Sequence, residues 1–244
     1  MSEFKTAISF LTQIPVGSGP MRDGANIGRA AAWFPLVGLV LGGSYVMAIG
    51  LLGLVLPSPV AAGFVVGMEA LLTGGLHMDG LADTADGLGG GWSRKQTLDI
   101  MRDPAIGTYG SIALVLLIVL KVNIISTLIE RPEWIGHFLV APVLGRWSSV
   151  LLSYALPYAR QSEESVGGIS RYVGVRELGL ATFICLVITV LALGSLGLAP
   201  VGGVLLLTAL WGGFCRRRLG GVTGDTLGTG IVCSELFTLL IGIV

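Results

Sequence analysis

Residues 59–87 read PVAAGFVVGMEALLTGGLHMDGLADTADG. The first part, 59–76, carries a single charge, Glu69, and is close to the roughly 20 apolar residues that span a bilayer core. Three aspartates follow at once: Asp79, Asp83 and Asp86. A membrane-length apolar run delivered into a row of like charges sets the class. The chain reads as an integral membrane protein whose chemistry sits at the membrane edge.

The rest of the sequence agrees. Of 244 residues, 53% are hydrophobic and only 12% charged, against about 25% charged in soluble domains. Apolar stretches at 33–56, 59–76, 108–129, 134–156, 178–196, 198–214 and 226–244 predict about seven transmembrane helices, with six as the alternative because "GSLGLAP" only weakly divides 178–214. The expected fold is an all-α polytopic bundle forming one integral-membrane domain over 1–244. Residues 4–14, FKTAISFLTQI, are too short to cross and lack a cleavage site, so they predict an interfacial amphipathic helix rather than a signal peptide.

Basic residues test the span count. Lys5, Arg22 and Arg29 precede span one; Arg94, Lys95 and Arg102 follow span two. Arg160, Arg171 and Arg176 lie between spans four and five, and Arg216, Arg217 and Arg218 between six and seven, while the alternate connections hold only Arg131. The positive-inside rule then puts the N-terminus and the long loops 77–107, 157–177 and 215–225 in the cytoplasm, and Val244 across the membrane. These short basic clusters form no continuous stripe, so no nucleic-acid partner is expected. Cys185, Cys215 and Cys233 lack C-x-x-C spacing and read as packed thiols.

If the helix of span two runs on through residue 86, Asp79, Asp83 and Asp86 share one face. Like charges at i, i+4 destabilise a helix, so a cation is expected among them. Oxygen-only donors favour Mg²⁺ or Mn²⁺ over zinc. A straight helix separates Asp79 from Asp86 by about 10 Å, so either two metals bind or another segment completes the site. Asp99 and Asp103, at i, i+4 in DIMRD, could supply it. The glycines among these residues suggest close backbone approach to a ligand, and the nearby Arg94, Lys95 and Arg102 suit a phosphate-bearing substrate. No P-loop motif is present.

The stretches GGLHMDGLADTADGLGGG (74–91), LDIMRDPAIGTYGS (98–111) and GGVTGDTLGTGIVCSEL (220–236), with FLTQIPV (10–16) and WFPLVGLVLG (33–42), resemble the cobalamin synthase family along essentially the whole chain. These are membrane enzymes also called adenosylcobinamide-GDP ribazoletransferases. The resemblance implies a Mg²⁺-dependent reaction at the cytoplasmic face of the bacterial inner membrane. A hydroxyl of α-ribazole, or of its 5′-phosphate, attacks the cobinamide-linked phosphate of adenosylcobinamide-GDP and releases GMP. Where the family pattern reads Ser-Arg after Asp103, this chain has Pro104-Ala105, so either Arg102 or a loop arginine serves the phosphate or that role is not essential. A weaker similarity, in Asp83-x-x-Asp86-Gly87 and Asp99-x-x-x-Asp103, points to CDP-alcohol phosphotransferases.

On this reading Asp79, Asp83, Asp86 and Asp103 hold Mg²⁺ against the pyrophosphate. His77 and an uncommitted aspartate, Asp83 foremost, are the candidate bases, although on an ideal helix His77 points away from the stripe unless Gly74-Gly75 breaks it. Arg94, Arg102, Asp225 and Glu235 are the candidate substrate contacts. Glu69, Lys121, Arg146 and Glu235 lie at mid-membrane depth, as an ion-pair network, a polar pocket, or, in a rival transporter reading, an ion path. Gly38/Gly42, Gly63/Gly67 and Gly224/Gly228 read as helix-packing spacings. The expected partners are the two substrates and the lipid bilayer, with a homo-oligomer left open.

Overall fold

The computed structural model describes residues 2–16, 24–132, 134–160 and 166–244. Arg22 and part of the 157–177 loop lie outside the described residues. Eleven α-helices are found among them: α1 Glu3–Leu11, α2 Gly24–Ala30, α3 Phe34–Leu52, α4 Ser58–Thr73, α5 Leu76–Gly90, α6 Arg94–Ile100, α7 Thr108–Leu128, α8 Trp134–Ala155, α9 Val175–Leu193, α10 Leu198–Leu219 and α11 Gly224–Ile241. The one β-bridge among the described residues pairs Tyr158 with Val222.

Helix α8 is the axis of the bundle. Its residues from Phe138 to Val150 are almost all buried, because α3, α9 and α11 cover it on several sides. Hydrocarbon provides no hydrophobic drive between helices, so close backbone contact has to hold them together. Gly38 and Gly42 supply it on α3: a Cβ on Gly42 would lie 2.7 Å from the Phe138 carbonyl oxygen, and one on Gly38 would strike Pro142. The Gly63/Gly67 pair does not behave as expected. Among the described residues nothing lies within 4 Å of a Cβ added at either, because α4 packs on α3 and α7 through its other faces. Of the third pair only Gly228 packs, against His77 and Gly80.

The seven expected spans map onto α3, α4, α7, α8, α9, α10 and α11. By length and apolarity alone, five helical stretches qualify among the described residues, or six if α4 and α5 count as one bent span. The stretch Val175–Leu219 is 45 residues long, far more than one crossing needs. Gly194 breaks it with φ 58° and ψ −136°. Arg176 at the start of α9 meets Glu3, and Leu219 at the end of α10 meets Arg94, so both termini of this stretch reach the end of the bundle that holds α1 and α6. The chain therefore turns back at residue 194.

The sequence left open whether the span-two helix runs on through residue 86 or breaks at Gly74-Gly75. In the structure α4 ends at Thr73, Gly74 and Gly75 adopt φ of 63° and 71°, and α5 leaves at 91° to α4. Left-handed backbone costs an L-residue about 1–2 kcal/mol, which two consecutive glycines avoid. Helix α1 is not merely interfacial. It buries Ala7 and Leu11, stacks Phe10 on Phe34 at 5.9 Å, and leads to Gln13, whose N–H donates to the Leu72 carbonyl.

Candidate active site

Helix α5 lies across the amino ends of α7 and α11, and this placement assigns its aspartates different work. Helix α7 begins at Gly107, which has no side chain to cap it. Asp86 does so from α5: Gly107 N–H donates to one carboxylate oxygen at 2.7 Å and Gly110 N–H to the other at 2.9 Å. A Cβ on Gly107 would meet the Asp86 carboxylate, and one on Gly110 both that carboxylate and the Ala82 carbonyl, so a side chain at either would displace this cap. Asp86 was expected as a metal ligand; both its oxygens are engaged at the positive end of α7.

Asp79 and Asp83 face away from that contact. Asp225 stands near them at the start of α11, a helix closed by a reciprocal Thr223–Thr226 cap. The 2.8 Å approach of the Asp225 carbonyl to a Cβ built on Gly80 shows how closely α5 and α11 cross. Arg160 completes the group and donates to Asp225 Oδ2 at 2.7 Å. It is positioned by two backbone bonds, Ala159 N–H to the Val222 carbonyl and Val222 N–H to the Pro157 carbonyl, which clip the loop after α8 to the loop before α11. Burial, then the charges of Asp79 and Asp225, push the Asp83 carboxyl up to about 6, while Arg160 opposes them. The α5 edge therefore has more negative charge than its own cation balances.

Two neighbouring cavities open here, and Asp79 lines both. The larger, about 620 Å³, lies between α5, the α4–α5 corner and α1, and includes Asp83 and Gln13. The smaller, about 270 Å³, is bounded by His77, Arg160 and Asp225 on its polar side and by Phe10, Phe34 and Ile169 on its apolar side.

The remaining expected residues divide. His77 is buried beside Asp79 at the smaller cavity, and its Nδ1 lies 3.4 Å from Arg146 Nη2. Arginine offers only donors, so Nδ1 accepts and Nε2 carries the proton; the one free lone pair is used, which makes His77 a poor base. Arg94 does not face the site. Its guanidinium donates to the Leu219 and Ala159 carbonyls at 2.6 Å each and terminates α10. Arg102 is exposed, and Asp103 accepts from Ala105 N–H in an exposed turn. Among the described residues no three Asp, Glu, His or Cys side chains form a ready metal cage, so the expected four-carboxylate set does not converge. On α5, Asp86 turns to the start of α7, whereas Asp79 and Asp83 line the larger cavity.

Glu235 is a network residue. It pairs with Lys121 at 2.9 Å and with Arg146, and Lys121 pairs with Glu69 at 2.6 Å. Two anions and two cations balance, and the cavity beside them is about 10 Å³, at or below the size of one water site. Among the described residues these pairs are those of the ion-pair-network reading. Arg160 is the candidate that the structure adds; the sequence reading noted it only as a loop charge. Its position directly after the span-four helix, in LPYAR, was the available signal.

Comparison with known proteins places this geometry in context. Residues 3–243 match the family model described as cobalamin-5-phosphate synthase. A curated protein of Clostridium botulinum (strain Loch Maree / Type A3), adenosylcobinamide-GDP ribazoletransferase, is 35% identical over 241 residues, covering 97% of this chain and 94% of its own length. No solved structure matches.

Proposed function

The chain belongs to the cobalamin-5-phosphate synthase family, and from that premise we propose how its membrane-edge site works. The activity is that of an adenosylcobinamide-GDP ribazoletransferase: α-ribazole, or its 5′-phosphate, displaces GMP from adenosylcobinamide-GDP to complete cobalamin or its phosphate. The observation that carries the assignment to α5 is the excess of carboxylate over cation around Asp79, Asp83 and Asp225 beside two adjoining cavities.

Mg²⁺ usually binds through one or two carboxylates and completes its shell with waters and substrate phosphates, so the lack of a three-residue cage suits it. Asp79 and Asp83, one turn apart on α5, would hold it. When bound it neutralises charge on the pyrophosphate and on departing GMP. Arg160 supplies the fixed cation, oriented by Asp225 and able to meet phosphate with its planar fork. Its Nε is buried without a protein partner among the described residues. Both side-chain bonds of Asp225 use Oδ2, which leaves Oδ1 to take the proton of the attacking hydroxyl. The larger cavity faces the corrinoid nucleotide.

The membrane is the bacterial cytoplasmic membrane and the site faces the cytoplasm. The support is charge: Lys5, Arg29, Arg94, Arg160, Arg176 and Arg216–Arg218 share the site end, whereas Arg131 sits at the other, bonded to the Ile243 carbonyl.

The test is GMP release by the purified protein in detergent or lipid, given adenosylcobinamide-GDP and α-ribazole, with and without Mg²⁺. Metal-dependent release that falls about 100-fold or more in Asp83→Asn is expected. Equal release after chelation would sink the metal assignment, and none from folded protein under any metal would sink the site assignment.

A further inference from the structure

We propose that the 270 Å³ cavity is the acceptor-nucleoside subsite, and that His77 reads the base through a hydrogen bond from Nε2–H to an unsubstituted ring nitrogen. The inference deepens the ribazole-transfer reading and rests on it.

Size divides the two substrates. A cavity of about 270 Å³ lies just under the usual range of about 300 to 1,000 Å³ for small-molecule pockets, so of the two substrates the nucleoside is the one near its size. The 620 Å³ cavity next to it is the one left for the larger partner. Asp79 borders both, so the acceptor's hydroxyl and the donor's phosphate would meet beside it.

The lining is that of a neutral aromatic riboside. Phe10 and Phe34, stacked at 5.9 Å with a 19° interplanar angle, supply an apolar wall for a flat base. Asp225 and Arg160 stand among the polar residues of the same cavity, where ribose hydroxyls need partners.

His77 adds the specific observation. It lines the cavity, is 5% exposed, and its Nε2 is buried with no protein partner among the described residues. Its Nδ1 is taken by Arg146, and Arg146 is itself held by Glu235. The pairing fixes the neutral tautomer with Nε2–H as a donor. A buried donor left unpaired is costly and calls for an explanation; here the partner is the acceptor nitrogen of a benzimidazole-type base. The membrane-embedded ion network thereby acquires a role at the site. Arg146 is a positioning residue for His77.

The experiment compares two ligands on the full chain in detergent. Equilibrium dialysis measures binding of α-ribazole and of the matching dimethylindole riboside, which has C–H in place of the ring nitrogen. Wild-type protein is expected to favour α-ribazole about 10-fold or more, since a site built to bond a polar atom rejects the analogue lacking it. In His77→Leu the preference falls to about one, with binding of adenosylcobinamide-GDP unchanged. Should that variant fail to fold, Ser153→Leu, which narrows the same cavity, is expected to weaken α-ribazole binding alone. Equal affinity of wild type for both ribosides, or a preference that survives in His77→Leu, overturns the proposal. Discrimination without GMP release would instead remove the transferase site assignment and leave the subsite standing.

Discussion

Asp86 and Asp83 differ by three residues and, in this structure, by their surroundings. Asp86 accepts two backbone N–H bonds at the start of α7, whereas the charges acting on Asp83 are those of Asp79, Asp225, Asp86 and Arg160. Their asparagine variants should separate accordingly. Asp86→Asn keeps one acceptor and loses the charge, so it should destabilise the protein by about 1–3 kcal/mol, read as a lower unfolding midpoint in detergent. Asp83→Asn should leave the midpoint unchanged or raised, because it removes repulsion, while GMP release collapses. The opposite pattern would exchange the two roles. Both aspartates were visible in the sequence as one stripe. Nothing in the spacing shows that Gly107, 21 residues further on, comes back to claim one of them.

At the scale of elements, the α4–α5 corner decides where the acidic helix lies. Gly75 has φ 71° and nothing among the described residues within 4 Å of an added Cβ, so Gly75→Ala tests backbone strain without a clash among them. A loss of about 1–2 kcal/mol in stability is expected, together with lower activity, because the 91° turn sets α5 over α7 and α11. No change in either would mean that the corner is held by contacts such as Gln13 with Leu72 and not by its glycines. The span boundaries were legible because hydropathy is a local property. The bend was only half legible. Gly74-Gly75 marks a break, but its angle depends on what receives the next helix.

Across the whole molecule, the Glu69–Lys121–Glu235–Arg146 network ties α4, α7, α8 and α11 together and ends at His77. Lys121→Met would leave two buried carboxylates sharing one arginine. Breaking a buried pair from one side costs about 3–5 kcal/mol, so the variant should unfold at markedly lower temperature. Lys121→Met with Glu69→Gln restores the charge balance and should recover part of the loss. If the single variant is as stable as wild type, the network is not structural. The exposed Gly63/Gly67 face shows the limit of motif reading at this scale: small-residue spacing permits close packing, but a neighbour has to be there.

By itself the sequence determined the membrane class, the approximate spans, the acidic edge and the family, because these depend on composition, periodicity and contiguous motifs. Tertiary structure alone decided which carboxylates remain at the site. Asp86 and Glu235 are drawn away by α7 and by Lys121 and Arg146, whereas Asp225 and Arg160 are brought in from positions 65 residues apart. Charged groups in a low-dielectric bundle must find partners. Which partner each one finds is set by how the helices cross, a relation that spacing along the chain does not record.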